Sequence, residues 1–266
     1  MRYKLVAIDL DDTLLADDLS ISAQTIDVIH EAVAKGVIVT LATGRMYKSA
    51  VKYAEQINLN VPIITYQGAY IKNVLDGKEL YKRFVSYDYS VDILKRLKEM
   101  NKMIQVYIND ELYVQKDNLY IKDYVKITQV NYHVVDDLLE IIDNSSLPFK
   151  IIAIDSPNQI LIMLKEFKEL YKDKLNVNTS KPNFLEFSNI EASKGQAIKY
   201  LASRRDISME EVIAIGDSYN DYDMIKMAGL GVAMENSHPK IKEIANYVTK
   251  TNNDHGVWEV FKKFIL

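Results

Sequence analysis

The chain has 266 residues, with 33 basic and 37 acidic side chains and therefore a formal net charge of -4. Hydrophobic residues make up 48% and charged residues 26%, which is typical of globular proteins rather than of disordered or fibrous ones. The absence of cysteine excludes disulfides, thiolate metal sites and cysteine nucleophiles, and the mild acidity offers no basic surface of the kind that binds nucleic acid.

The N-terminal segment does not predict export or membrane insertion. An apolar run at residues 5–8 follows Arg2 and Lys4 but stops at Asp9. An export signal needs roughly 7–15 apolar residues and a membrane span roughly 20. We therefore expect a cytoplasmic protein without membrane contacts, acting as a monomer or small homo-oligomer.

The first third of the chain alternates predicted strands and helices. Continuous apolar runs predict buried strands at residues 5–8, 37–42 and 61–66. Ser22 is a typical helix N-cap, and Gly36 is placed to end that helix; a second helix is expected through residues 50–57. This order of elements predicts an α/β fold with a doubly wound, Rossmann-like parallel sheet.

The last third repeats the pattern. Ser193 predicts the start of a helix that runs to about residue 205, followed by a buried strand at 212–215. A helix at 221–227 and a strand at 231–234 come next. These segments are expected to complete the parallel sheet.

The middle of the chain predicts a mixed α+β block. Strands are predicted at 103–108, 112–115, 131–135, 149–154, 175–178 and 184–187, and helices at 87–101, 118–128, 136–143 and 157–171. We therefore predict a discontinuous core of residues 1–81 and 187–266, interrupted by an inserted domain of residues 82–186.

Two acidic segments follow predicted buried strands. Residues 9–13 read Asp-Leu-Asp-Asp-Thr, and residues 216–221 read Gly-Asp-Ser-Tyr-Asn-Asp. If the two strands are neighbours, these carboxylates meet at the edge of the sheet where α/β proteins bind ligands. Oxygen ligands of this kind suit Mg²⁺. Asp221 could equally cap the helix that follows it.

Two further features suit a phosphate. Thr43 and Gly44 follow another predicted strand and open a helix, so they offer a hydroxyl and backbone N–H groups to an anion. Lys194 lies in the first turn of its helix, where a cation is unfavourable against the helix dipole. Its position is better explained if it faces a phosphate or a carboxylate.

Taken in order, the four motifs Asp-x-Asp-x-Thr, Thr-Gly-Arg, Ser-Lys-Gly and Gly-Asp-Ser-x-Asn-Asp resemble those of the haloacid dehalogenase superfamily. The chain is particularly similar to its Cof-type phosphatases, which carry a type IIB cap between the second and third motifs. The resemblance implies that Asp9 attacks phosphorus and forms an aspartyl-phosphate. It also implies that Asp11 protonates the leaving oxygen and then activates water.

The same resemblance implies the remaining site residues. Mg²⁺ would be held by Asp9, the Asp11 backbone carbonyl and Asp217, with Asp221 in or near the shell. The phosphate oxygens would be held by Thr43, Gly44, Lys194 and Asn220, while Thr13 would brace the loop. One departure is Gln67-Gly68-Ala69, where similar proteins often have Asn-Gly-Ala.

The expected activity is a Mg²⁺-dependent phosphatase of small phosphorylated metabolites. Sugar phosphates are favoured, ahead of pyridoxal phosphate and flavin mononucleotide, and the inserted domain is expected to select among them. A phosphomutase remains open, because an aspartyl-phosphate can also be discharged to a sugar hydroxyl. A non-catalytic sensor of a phosphorylated ligand is a second alternative, although the intact pair Asp9 and Asp11 argues against it. The length and the insertion disfavour a response-regulator receiver domain.

Overall fold

A computed structural model describes residues 2–59, 61–117 and 119–266. Contacts between Cα atoms divide the chain into two compact units. The first unit comprises Met1–Tyr81 and Ser193–Leu266, and the second comprises Lys82–Ala192. The domain boundary predicted at 186/187 differs from this division, because it falls inside a strand that continues to Asn189.

The elements have the following bounds. The strands are β1 (Leu5–Ile8), β2 (Ile38–Leu41), β3 (Pro62–Thr65), β4 (Tyr70–Asn73), β5 (Glu79–Lys82), β6 (Met103–Ile108), β7 (Glu111–Val114), β8 (Tyr132–Val134), β9 (Pro148–Ile154), β10 (Leu175–Lys181), β11 (Phe184–Asn189), β12 (Val212–Gly216), β13 (Leu230–Ala233) and β14 (Tyr247–Val248). The helices are α1 (Ala23–Ala34), α2 (Tyr47–Gln56), α3 (Tyr87–Glu99), α4 (Leu119–Thr128), α5 (Pro157–Leu170), α6 (Lys194–Ser203), α7 (Tyr222–Met227), α8 (Pro239–Ile244) and α9 (Gly256–Phe264).

A parallel sheet forms the centre of the first unit. Its strand order is β14-β13-β12-β1-β2, and Ile8 pairs with Ile215 on one side and with Leu41 on the other. All four residues of β1 are buried, as expected for a strand covered on both faces. The α/β fold with a parallel core is thereby confirmed, and the carboxyl ends of β2, β1 and β12 lie side by side.

The third predicted strand does not extend that sheet in the expected way. β3 instead starts a three-stranded antiparallel sheet of order β3-β4-β5. An isolated parallel bridge between Ala42 and Ile64 connects it to the parallel sheet. β4 and β5 were not predicted, because they are short and carry several half-exposed polar side chains.

The second unit contains a separate six-stranded sheet of order β10-β11-β9-β6-β7-β8. Its pairs are antiparallel except for β7 with β8. Leu97 of α3 and Phe167 of α5 belong to the hydrophobic core that includes Val106 of this sheet. This is the α+β organisation predicted for the insertion.

One predicted helix in this unit is wrong. Residues 136–143 form turns, in which the Asp137 carboxylate accepts from the backbone N–H of Leu139 at 3.1 Å. Leu138 and Ile142 are buried, so their apolar spacing reflects packing rather than a helix. The predicted helix at 118–128 corresponds to α4, and its first residue lies outside the described residues.

Within the part of the chain that the structure describes, none of the helices combines the length and the apolar character needed to cross a membrane.

Candidate active site

Three carboxylates converge at the carboxyl ends of β1 and β12. The backbone N–H of Asp9 donates to the carbonyl of Ile215 at 3.0 Å, which continues the pairing of the two strands. One carboxylate oxygen from each of Asp9, Asp217 and Asp221 lies within 4.8 Å of the others. Asp9 and Asp221 are buried and Asp217 is 9% exposed. The two acidic segments that are far apart in the sequence therefore meet, as predicted.

Lys194 joins two of these carboxylates. Its Nζ donates to Oδ1 of Asp9 and to Oδ1 of Asp221, each at 2.6 Å, and the side chain is completely buried. The first turn of α6 holds it there, because the hydroxyl of Ser193 accepts from the backbone N–H of Gln196 and fixes the start of the helix. Lys194 was expected to face a phosphate or a carboxylate, and it contacts two carboxylates.

Burial and mutual repulsion perturb the protonation of the cluster. Burial, followed by the neighbouring charge of Asp221, raises the pKa of Asp9 well above its usual value, although Lys194 opposes the shift. The same two causes raise the pKa of Asp217 to about 7. Burial alone would lower the pKa of Lys194, but the carboxylates of Asp221 and Asp9 outweigh it and raise that pKa. One ammonium group thus leaves the three carboxylates incompletely compensated.

This donor set fits a hard divalent cation. Three carboxylate oxygens lie close enough to share one ion, and Mg²⁺ prefers such ligands. A cation would also relieve the repulsion that raises the pKa values of Asp9 and Asp217. Asp9, Asp217 and Asp221 could each supply one oxygen ligand.

Asp221 fixes the loop that carries Asp217. Its Oδ2 accepts from the backbone N–H groups of Asp217 and Ser218, each at 3.0 Å, while Oδ1 is bound to Lys194. A Cβ atom at Gly216 would lie 2.5 Å from the Asp221 carboxyl carbon, so this position needs glycine. The Asp221 side chain makes no capping hydrogen bond to α7 itself, but it completes a capping box with Ser218 at the start of the 3-10 turn at residues 219–221, which leads into that helix. The capping alternative is therefore confirmed for this turn and not for α7.

Thr13 orients the carboxylate of Asp217. Its hydroxyl donates to Asp217 Oδ1 at 3.0 Å across the two loops, and Thr13 is buried. The sequence predicts that Thr13 braces its loop, and this hydrogen bond identifies the Asp217 carboxylate as the group that Thr13 holds.

The carboxylate of Asp11 lies outside this cluster and pairs with Arg45. Nε of Arg45 donates to Asp11 Oδ2 at 2.9 Å and Nη2 donates to Oδ1 at 2.5 Å. Arg45 lies against the ring of Tyr53, with 5.1 Å between its Cζ and the ring centroid. Sequence reasoning assigned no role to Arg45. Arg45 directly follows Thr43-Gly44 at the sheet edge that also carries Asp11, and this position could have indicated the ion pair with Asp11.

The predicted phosphate-binding residues are linked through Gln67. Thr43 is buried and its hydroxyl oxygen accepts from the backbone N–H of Arg45 at 3.1 Å. Gln67 has a φ of +57°, its amide side chain packs against Gly44, and its Oε1 accepts from Nδ2 of Asn220 at 3.1 Å. Gln67, which stands where similar proteins often have asparagine, thus contacts the loop of Gly44 and the loop of Asn220.

Gly68 brings this loop against the start of α6. Its φ is +96°, and a Cβ atom there would overlap the backbone carbonyl of Ser193. The loop that carries Gln67 and the turn that carries Lys194 are therefore in close backbone contact. The four motifs meet at one edge of the first unit, either by direct contact or through Arg45 and Gln67.

A parallel sheet with acidic loops, a buried lysine and a separate cap sheet defines the architecture of a haloacid-dehalogenase-type hydrolase. The sequence profile of the haloacid dehalogenase-like hydrolases matches residues 6–261, and the chain belongs to this family. The predicted assignment to this superfamily and to its phosphatases is thereby confirmed.

Three similar proteins illustrate the match. The 5-amino-6-(5-phospho-D-ribitylamino)uracil phosphatase YcsE of Bacillus subtilis is 31% identical over 267 residues, which cover 99% of this chain and 96% of that protein. The crystal structure of TM0651 from Thermotoga maritima is 34% identical with a TM-score of 0.88, covering 98% and 97% of the two chains. A haloacid dehalogenase-like hydrolase from Bacteroides thetaiotaomicron is 27% identical with a TM-score of 0.89, covering 98% and 99%.

Proposed function

We propose that this protein is a Mg²⁺-dependent phosphatase that hydrolyses phosphomonoesters of small metabolites through an aspartyl-phosphate. The observation that carries the proposal is the buried contact of Lys194 with Asp9 and Asp221 beside Asp217. A purely structural core gains little from three carboxylates around one ammonium group, because buried charges are costly. These charges are explained if the carboxylates bind a cation and the ammonium group binds an anionic substrate.

Asp9 is the proposed nucleophile. Lys194 holds its Oδ1, and among the described residues no hydrogen bond is made to the other oxygen, which is therefore free to attack. That oxygen forms a bond to phosphorus while the bond from phosphorus to the ester oxygen breaks. The electron pair of the broken bond leaves with the ester oxygen, which takes a proton from the carboxyl group of Asp11.

In the second half-reaction, water attacks phosphorus and gives its proton to the Asp11 carboxylate. The bond between phosphorus and Asp9 breaks, and inorganic phosphate and the free Asp9 carboxylate are released. Asp11 is half-exposed and bound by Arg45, so its side chain has to exchange this contact for one with the ester oxygen. Arg45 then serves to position Asp11 between turnovers.

The metal and the remaining residues stabilise the charge on the phosphoryl group. Mg²⁺, held by Asp9, the Asp11 backbone carbonyl and Asp217 with Asp221 in or near the shell, would let an anionic carboxylate approach an anionic phosphate. The proposed phosphate-binding groups are the Thr43 hydroxyl, the Gly44 backbone, the Lys194 ammonium and the Asn220 amide. Their placement at one sheet edge supports this role.

Sugar phosphates and related phosphorylated polyols are the proposed substrate class. The name of the Bacillus subtilis relative specifies a phosphorylated ribityl group, which supports this choice. We assign the selection of the leaving group to the second unit, residues 82–192.

The decisive experiment compares Asp9→Asn with Asp12→Asn. Both changes remove one carboxylate from the same loop, but the hydrogen bonds of Lys194 go to Asp9 and Asp221, and Asp12 has a φ of +57°, which asparagine tolerates. Phosphate release from ribose 5-phosphate and related esters, with Mg²⁺ and with EDTA, should fall at least about 10³-fold in Asp9→Asn. It should fall only slightly in Asp12→Asn.

Mass spectrometry of rapidly quenched enzyme tests the covalent step. The wild-type chain should gain the mass of one phosphoryl group on Asp9 during turnover, and Asp9→Asn should gain none. Phosphate release that persists in Asp9→Asn would contradict the assignment of the nucleophile.

A further inference from the structure

The turn that follows β3 is anchored to the loop that follows β2 by two backbone hydrogen bonds. The N–H of Gln67 donates to the carbonyl of Thr43 at 3.1 Å, and the N–H of Tyr66 donates to the carbonyl of Arg45 at 2.9 Å. Tyr66 and Gln67 have φ values of +53° and +57°. Left-handed conformations are unfavourable for such residues and persist where the surrounding structure holds them. The backbone of this turn is therefore fixed against the loop that follows β2.

The Gln67 side chain extends from this turn to two of the proposed phosphate-binding residues. Its Oε1 accepts from Nδ2 of Asn220 at 3.1 Å. Its amide also lies against Gly44, because a Cβ atom at that glycine would overlap Gln67 Nε2 and would lie 2.8 Å from Gln67 Cδ. One amide group therefore contacts a loop from each side of the site, and the two loops belong to distant parts of the sequence.

Asn220 is held by two hydrogen bonds although it is exposed. Its Oδ1 accepts from the hydroxyl of Ser218, and its Nδ2 donates to Gln67. An exposed side chain that lacks such contacts samples several rotamers, and restricting it to one of them costs conformational entropy. The contacts with Ser218 and Gln67 fix the amide before any ligand binds. Because an amide nitrogen carries two N–H groups, the bond to Gln67 occupies only one of the two donors of Asn220.

We propose that Gln67 is a positioning residue, which sets the spacing between the Asn220 amide and the Gly44 backbone for a phosphoryl group. This inference rests on the proposed phosphatase function, because Asn220 and Gly44 are assigned to the phosphate there. A tetrahedral anion binds best when its donors stand at fixed separations, and small displacements of such donors reduce both binding and catalysis. Gln67 acts through these two residues and not as a catalytic residue.

The side-chain amide signal of Asn220 tests the contact directly. In ¹H–¹⁵N spectra of the full-length protein, Asn220→Asp identifies this signal by removing it. Gln67→Met keeps the length of the side chain but removes the acceptor, so the Asn220 signal should move towards that of a freely hydrated amide. Gln24→Met makes the same replacement at an exposed position of α1 and should leave the Asn220 signal in place.

Gln67→Asn is the second variant, because asparagine tolerates the left-handed backbone of this position. It keeps an amide but is shorter by one methylene group, so it should also release Asn220. An Asn220 signal that stays at the wild-type position in both Gln67 variants overturns the proposal.

Binding of inorganic phosphate with Mg²⁺, followed in the same spectra, tests whether the contact matters for the ligand. Gln67→Met should raise the dissociation constant of phosphate by about threefold to tenfold. The double variant with Asn220→Ala should bind phosphate within about twofold of the weaker single variant, because Gln67 acts through Asn220. Two losses that multiply in the double variant would overturn the proposal. These constants come from signals of the folded protein, so a partial loss of folding does not imitate the effect.

Failure of the proposed function gives a different result. The wild type would then neither bind phosphate nor release it from ribose 5-phosphate, and the positioning role would fall with the function. A wild type that is active and binds phosphate, but whose phosphate affinity does not respond to Gln67→Met, overturns the positioning role alone.

Discussion

Replacing Lys194 with methionine tests the electrostatic design of the site most directly. The side chain is completely buried, and its ammonium group makes two contacts of 2.6 Å, with Asp9 and with Asp221. Methionine has a similar length but no charge. The change therefore leaves two buried carboxylates without their common partner, beside a third on Asp217.

The expected loss of stability follows from this geometry. Removing one partner of a buried ion pair costs about 3–5 kcal/mol, because the remaining charge stays buried. In EDTA we therefore expect the free energy of unfolding of Lys194→Met to fall by about 3–5 kcal/mol. Mg²⁺ should stabilise the variant more than the wild type, since the ion then has more uncompensated negative charge to bind.

Urea denaturation with EDTA and with Mg²⁺ measures both effects. Lys199→Met is the matched control, because Lys199 lies on the same helix but is exposed; its free energy of unfolding should change by less than about 0.5 kcal/mol. Phosphatase activity of Lys194→Met should fall about 10²–10³-fold even with saturating Mg²⁺, since the variant lacks the ammonium group that would stabilise the negative charge of the transferred phosphoryl group. A loss of stability below about 1 kcal/mol in EDTA would refute the reasoning.

Two further predictions concern pH and backbone geometry. The pKa of Asp217 is about 7 in the folded, metal-free chain, above its ordinary value of 3.8, so the folded state binds the additional proton. The stability measured by thermal unfolding in EDTA should therefore fall as the pH rises from about 4 to about 7, and Asp217→Asn should flatten this decline; an equal slope in that variant would contradict the assignment. Gly68→Ala should lower stability by about 1–3 kcal/mol and reduce kcat, because its Cβ atom would displace the backbone of Ser193. Gly77→Ala, with a φ of +65° but no contact closer than 3.7 Å, should leave kcat unchanged and cost less in urea denaturation, and equal effects of the two changes would count against the proposed contact.

The parallel core could be predicted from the sequence because its strands are continuous apolar runs that end abruptly in polar residues. The run at residues 5–8 is an example, since all four side chains are buried and Asp9 follows at once. β4 and β5 lack this contrast, because their side chains are partly exposed and their pairing with β3 depends on a neighbouring chain segment. The apolar spacing of residues 136–143 misled for the opposite reason: Leu138 and Ile142 are buried without forming a helix.

The meeting of the acidic loops could be predicted because topology alone brings them together. Once the strands that precede Asp9 and Asp217 are neighbours, the parallel register fixes both residues at one edge. The contact of Asp11 with Arg45 could not be derived in this way. It depends on the direction in which a long side chain turns from a loop, and the register of the strands does not determine that direction.

Lys194 and Gln105 are two buried polar residues that differ in how far the sequence alone predicts their surroundings. A lysine in the first turn of a helix conflicts with the helix dipole, and this local conflict was enough to predict an anionic partner, which the structure provides in Asp9 and Asp221. Glutamine in a strand conflicts with nothing nearby in the sequence. Its unpaired donor becomes evident only in the folded structure, where no described residue accepts a hydrogen bond from it. Buried groups of the first kind can be sought by reading a sequence, whereas those of the second kind require every buried donor in the fold to be checked for an acceptor.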